Sequence, residues 1–88
     1  MERSVMVGSS VGLHARPAAL FTQAAARQPV PVTIGKPGAD FVDARSILSV
    51  LGLNARGGDE VLLRADGPGA REALDELAAI VAQNHDQG

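Results

Sequence analysis

Cysteine is absent from this chain, as are tryptophan and tyrosine, and Phe21 and Phe41 are the only aromatic residues among 88. Without thiols, neither a disulfide framework nor a thiolate metal site is available, which fits a reducing cytoplasm as the compartment. Two aromatics and no basic cluster leave no platform for stacked bases and no track for phosphates, so nucleic acid is not an expected partner. No run approaches the ~18 apolar residues of a membrane span. The opening MERSVMVG lacks the basic and apolar regions of a signal peptide, and membrane insertion is not expected. Internal repeats, linkers and low-complexity tracts are missing too. What is present is a chain 45% hydrophobic with a net charge of −2, the balance of a soluble globular protein. It is long enough for a single domain, 1–88, near the lower limit of folds that stand without staples.

Hydrophobic periodicity divides the chain into seven elements. RSVMVG at 3–8 alternates, with Val5 and Val7 on one side, and predicts a strand closed by SSVG. A helix follows over 15–27, with Leu20, Phe21 and Ala24 spaced to face the core. Pro17 falls in its first turn, where a missing N–H is tolerated. VPVTIG at 30–35 alternates again through Val30, Val32 and Ile34. Its Pro31 cannot donate to a ladder, which points to a sheet edge. The turn GKPGA and the strand DFVDA at 40–44 complete an antiparallel hairpin. ILSVLGL reads as a two-turn helix, with Ser46 as its N-cap and Asn54 in the left-handed conformation past its end. EVLLRA at 60–65 is a fourth strand, with Val61, Leu63 and Ala65 inward. After DGPG a last helix over 69–83 buries Ala70, Leu74, Leu77 and Val81, flanked by Ala73 and Ile80. The tail 84–88 is expected to fray. The order β-α-β-β-α-β-α implies an α+β fold, a four-stranded antiparallel sheet with three helices on one face.

The chemistry concentrates in GLHARPAAL at 12–20. His14 stands where the first helix begins, although Ser, Asp, Asn and Thr are the favoured N-caps. A helix start presents unpaired N–H groups and a partial positive charge, which disfavour a protonated ring and attract an anion. The Arg16 guanidinium can pair with phosphoryl oxygens, and the backbone N–H groups of Ala15 and Arg16 add donors. Pro17 stiffens the turn, while Leu13 and Leu20 are assigned to the core. Such a constellation suits a histidine that takes up a phosphoryl group and passes it on.

Blander roles compete. A lone histidine at a helix start is commonly a polar surface residue, and Ser46 before ILSV is a good N-cap with no further task. Ile47, Leu48 and Leu51 lie at one edge of the short helix, and in a domain this small at least one of them is expected in the core. A metal site has no support, because the second histidine, His85, lies in the tail and no carboxylate cluster accompanies His14. Ser9 and Ser10 lie in a turn without a nucleophile elbow or oxyanion loop.

Two separated segments, GLHARPAAL and ARSILSVLGL followed by GGDEV, resemble the histidine-containing phosphocarrier (HPr) family of the bacterial sugar phosphotransferase system. The likeness covers nearly the whole chain. It implies an open-faced β-sandwich and a carrier that is the substrate of two enzymes rather than a catalyst, with no cofactor. In that family His14 would accept a phosphoryl group on Nδ1 from phosphorylated Enzyme I, charged by phosphoenolpyruvate. It would then donate the group to a histidine of an enzyme IIA domain, and Arg16 would match the active-site arginine. Ser46 would match the serine that an HPr kinase/phosphorylase modifies, and Ile47, Leu48 and Leu51 an apolar docking patch beside the histidine. The family is typically monomeric.

The first helix departs from many relatives in carrying Gln23, Ala24 and Ala26 where they have lysines. The basic rim then rests on Arg16, Arg27 and Arg45. Two further readings stay open: a regulatory paralogue signalling carbon or nitrogen status, and an interaction module in which His14 only caps a helix.

Overall fold

The strands and helices follow one another in the order the periodicity predicts, β-α-β-β-α-β-α. A computed structural model describes residues 1–83; the tail expected to fray, 84–88, lies outside the described residues. In chain order the elements are β1 (Glu2–Met6), α1 (Ala15–Ala26), β2 (Thr33–Gly35), β3 (Val42–Asp43), α2 (Ile47–Gly52), β4 (Glu60–Arg64) and α3 (Ala70–Ala82). The four strands form one antiparallel sheet in the order β1-β4-β2-β3. Along β1 the register runs from Glu2 opposite Arg64 to Met6 opposite Glu60, and across β2 from Thr33 opposite Arg64 to Gly35 opposite Leu62.

Alternation along β4 sends Val61 and Leu63 into the core and leaves Glu60 and Arg64 on the open face. There Arg64 stacks 3.9 Å above the Phe41 ring. Helix α3 buries Ala70, Ala73, Leu74, Leu77, Ala78 and Val81, a stripe repeating every three or four residues. Helix α1 adds Phe21, the largest fully buried side chain, with Ala18, Ala24 and Ala25. The result is the open-faced β-sandwich, with three helices on one face of the sheet.

Three local expectations are corrected. Leu20, assigned to the core, is 44% exposed. At 3.6 residues per turn it shares a row with Arg16, Gln23 and Arg27, all on the solvent side, and Phe21 one step on takes the core position. Strand β2, expected at an edge because of Pro31, lies between β4 and β3. Its pairing simply begins after the proline: the Val32 carbonyl accepts the Ala44 N–H at 3.0 Å, and Thr33 pairs on both sides. The third strand, expected over 40–44, is only Val42–Asp43. Asp43 turns the chain there, its carbonyl taking the Ser46 N–H and its carboxylate the Arg45 N–H.

Candidate functional site

The loop from β1 to α1 is fixed by backbone contacts with distant parts of the chain. The Val7 N–H donates to the Asp59 carbonyl at 2.9 Å, the Gly8 N–H to Val81 at 3.0 Å and the Leu13 N–H to Ala55 at 2.9 Å. Gly12 has a φ of +80°, and a Cβ there would stand 2.3 Å from the Ala55 oxygen. On the other strand of the contact, a Cβ on Gly57 would stand 2.5 Å from the Ser9 oxygen. The two loops thus meet backbone to backbone, an approach that only glycine permits.

This arrangement delivers His14 to the N-cap of α1. Its backbone is extended, with φ −82° and ψ −174°, and its carbonyl accepts the first helical hydrogen bond, from Ala18 N–H at 2.8 Å. The exposed imidazole makes no capping hydrogen bond. Consequently the N–H groups of Ala15 and Arg16 have no acceptor among the described residues, and Pro17, buried at the third helical position, has none to offer. No acidic residue stands in the first turn of α1, so the positive end of the helix dipole is not neutralised locally. The Arg16 side chain is exposed and, among the described residues, has no carboxylate partner. Imidazole, guanidinium and two free amides therefore share one solvent-facing helix start, which is equipped to receive a tetrahedral dianion.

Helix α2 is capped as the sequence predicts: Ser46 Oγ accepts the Ser49 N–H at 3.3 Å, and the Ser46 carbonyl accepts Val50 N–H at 2.9 Å. Asn54 has the expected positive φ, 53°. Val50 alone of the helix fills the core; Leu48 is 80% exposed, and Ile47 and Leu51 are at the surface as well. The expectation that at least one of these three is core is overturned. Leu20 and Val11 add exposed apolar surface that the sequence reading missed. For Leu20 the row shared with Arg16, Gln23 and Arg27 was a usable signal; for Val11 there was none.

The remaining basic residues are partly spoken for. Arg27, the C-cap of α1, has its guanidinium 3.8 Å from the Glu76 carboxylate of α3. Arg45 is bound to Asp43 and holds that carboxyl down at about 2, against an ordinary 3.8, first through side-chain hydrogen bonds and then through its backbone N–H. Among the described residues no cluster of three or more His, Asp or Glu could hold a metal ion, and no helix is long and apolar enough to cross a membrane.

A family model described as the PTS HPr component phosphorylation site matches residues 1–83. The chain belongs to the HPr phosphocarrier family. It is similar to the phosphocarrier protein HPr of Streptomyces coelicolor, 52% identical over 82 residues that span 93% of this chain and 88% of that protein. The crystal structure of HPr from Bacillus anthracis matches the fold with a TM-score of 0.85 at 40% identity, over 92% of this chain and 95% of that one. Crh, the catabolite-repression protein of Bacillus subtilis, solved as a domain-swapped dimer, matches with a TM-score of 0.72 at 43% identity, over 85% of both chains. These relatives comprise phosphocarrier HPr proteins and the catabolite-repression protein Crh.

Proposed function

We propose that this chain is a phosphoryl carrier of the sugar phosphotransferase system, with His14 as the acceptor and donor. The reading rests on one observation above the others: His14 occupies the N-cap without capping. The helix start therefore keeps two unmet N–H donors beside a free imidazole, and a phosphoryl group on His14 supplies the missing acceptor.

In the transfer, the Nδ1 lone pair of His14 attacks phosphorus while the ring keeps its proton on Nε2. The bond from phosphorus to the donor atom of phospho-Enzyme I breaks, and its electron pair stays with Enzyme I. The phosphoryl oxygens accept from the Ala15 and Arg16 N–H groups and pair with the Arg16 guanidinium. The same steps in reverse order of roles hand the group to a histidine of an enzyme IIA domain. The chain turns nothing over by itself. It works in the cytoplasm as a monomer, and Ile47, Leu48 and Leu51, with Arg27 at the rim, form the surface that partners approach. A small apolar centre with few charges suits a transient encounter. Ser46 is the candidate for an HPr kinase/phosphorylase: a phosphate there sits at the start of α2 and adds negative charge next to the docking surface.

Incubation with phosphoenolpyruvate and Enzyme I, read by intact mass before and after acid, tests this reading. One acid-labile phosphoryl group on the wild type and none on His14→Ala is the expected result; equal labelling of both proteins defeats the assignment. The likeness to Crh favours a second reading, a regulatory paralogue on the same fold. A phosphorylated chain that passes its group to no enzyme IIA domain would select it.

A further inference from the structure

Lys36 lies at the end of β2, away from the helix that carries His14, yet its contacts lead there. Its Nζ donates to the Asn54 carbonyl at 3.1 Å and stands 3.8 Å from Asp59 Oδ2. The same Asp59 oxygen accepts the Arg56 N–H at 2.9 Å, and the Asp59 N–H donates to the Arg56 carbonyl at 2.9 Å. Lys36 and Asp59 therefore close loop 54–59 from both ends against the sheet.

That closed loop is what holds the segment leading to His14. Ala55, next to the carbonyl that Lys36 binds, accepts the Leu13 N–H, while Gly58 and Asp59 exchange hydrogen bonds with Val7 at the other end of the segment. Gly57 sits against Ser9 and Ser10 too closely for any side chain. The path from Lys36 to His14 runs through the Asn54 carbonyl, Ala55 and Leu13.

We propose that Lys36, with Asp59, is a positioning residue for phosphoryl acceptance at His14, acting through the brace it places on loop 54–59. The proposal rests on the carrier reading above for its kinetic consequence, and on the hydrogen bonds alone for its structural one. Both side chains are partly exposed, so each can be replaced without opening the core.

The test uses Lys36→Met, Asp59→Asn and the conservative Lys36→Arg in the full chain. Losing the brace lets the His14 loop shift by a fraction of an ångström. The expected result is a roughly tenfold fall in kcat for phosphoryl transfer from Enzyme I in Lys36→Met and Asp59→Asn, short of the about hundredfold loss that a 1 Å misplacement can bring. KM for the carrier stays unchanged, because neither substitution replaces a residue of the docking surface on α1 and α2. Hydrogen exchange at the Leu13 amide quickens while that of buried Leu74 does not, and Lys36→Arg restores both readouts. Wild-type kcat with wild-type Leu13 protection in Lys36→Met overturns the proposal, as does a defect confined to KM or one that Lys36→Arg fails to rescue. Should the wild type itself take no phosphoryl group, the carrier reading fails and Leu13 exchange still decides whether the brace exists.

Discussion

Arg45 grips Asp43 with its Nε at 3.0 Å, its Nη2 at 2.8 Å and its backbone N–H at 2.9 Å. The carboxyl is held at about 2, below its ordinary 3.8, so the interaction contributes stability above the unfolded value and loses it as pH falls through the folded one. In Arg45→Met the Asp43 carboxyl should titrate close to its ordinary value, as followed by carbon NMR. The stability gap between variant and wild type should close as pH drops from about 4 to about 2. An Asp43 that still titrates near 2 in the variant would remove Arg45 as the cause.

The exposed apolar residues should separate binding from folding. Leu48→Ser and Leu20→Ser should each change stability by no more than about 0.5 kcal/mol. Both should raise KM for transfer from Enzyme I. Phe21→Ala, one position from Leu20 but fully buried, should cost about 3–5 kcal/mol in denaturant unfolding. A large loss of stability in Leu20→Ser would return that residue to the core.

Gly57 and Gly52 offer opposite outcomes for one substitution. A Cβ at Gly57 meets the Ser9 oxygen at 2.5 Å and the Ser10 Cα at 2.8 Å, both backbone atoms that cannot step aside. Gly57→Ala should therefore destabilise by about 1–3 kcal/mol and slow phosphoryl acceptance. At Gly52, inside α2, a Cβ meets nothing, and Gly52→Ala should stabilise by about 0.4–1 kcal/mol. Urea midpoints of the two variants check both signs.

How much of this was legible beforehand depends on how local the cause is. The buried stripe of α3, the Ser46 cap and the left-handed Asn54 were readable because each is decided within a turn or two of chain. The alternation of Val61 and Leu63 was readable for the same reason. Leu20 was readable too, from the polar row it shares with Arg16, Gln23 and Arg27, whereas nothing local marks Val11 as exposed. The interior place of β2 was hidden because strand order is set by β4, which the local pattern around Pro31 cannot report. At the site, His14, Arg16 and the helix start were visible in nine residues. The support from Ala55, Gly57 and Lys36 was not, since no spacing rule connects them to the histidine.

Ser46 joins a structural task to a proposed regulatory one, and substitutions can part them. Ser46→Ala removes the cap and should cost about 0.5–1 kcal/mol, the low end because the bond is long. Ser46→Asp keeps a capping oxygen and should hold stability near wild type while slowing phosphoryl transfer from Enzyme I. Equal transfer rates for Ser46→Asp and wild type, measured at low salt, would count against charge at this position as a regulator.

The His14 loop is closed by elements that lie far along the chain. Among the described residues β1 pairs in the sheet with β4 alone, and Gly8 is bonded to Val81 in the last turns of α3. During synthesis His14 leaves the ribosome well before the strand and helix that seat its loop, β4 and α3. On the carrier reading, a chain that stops before β4 and α3 has the acceptor residue without the acceptor geometry. Chains that stop short of α3 would then not compete for the donor.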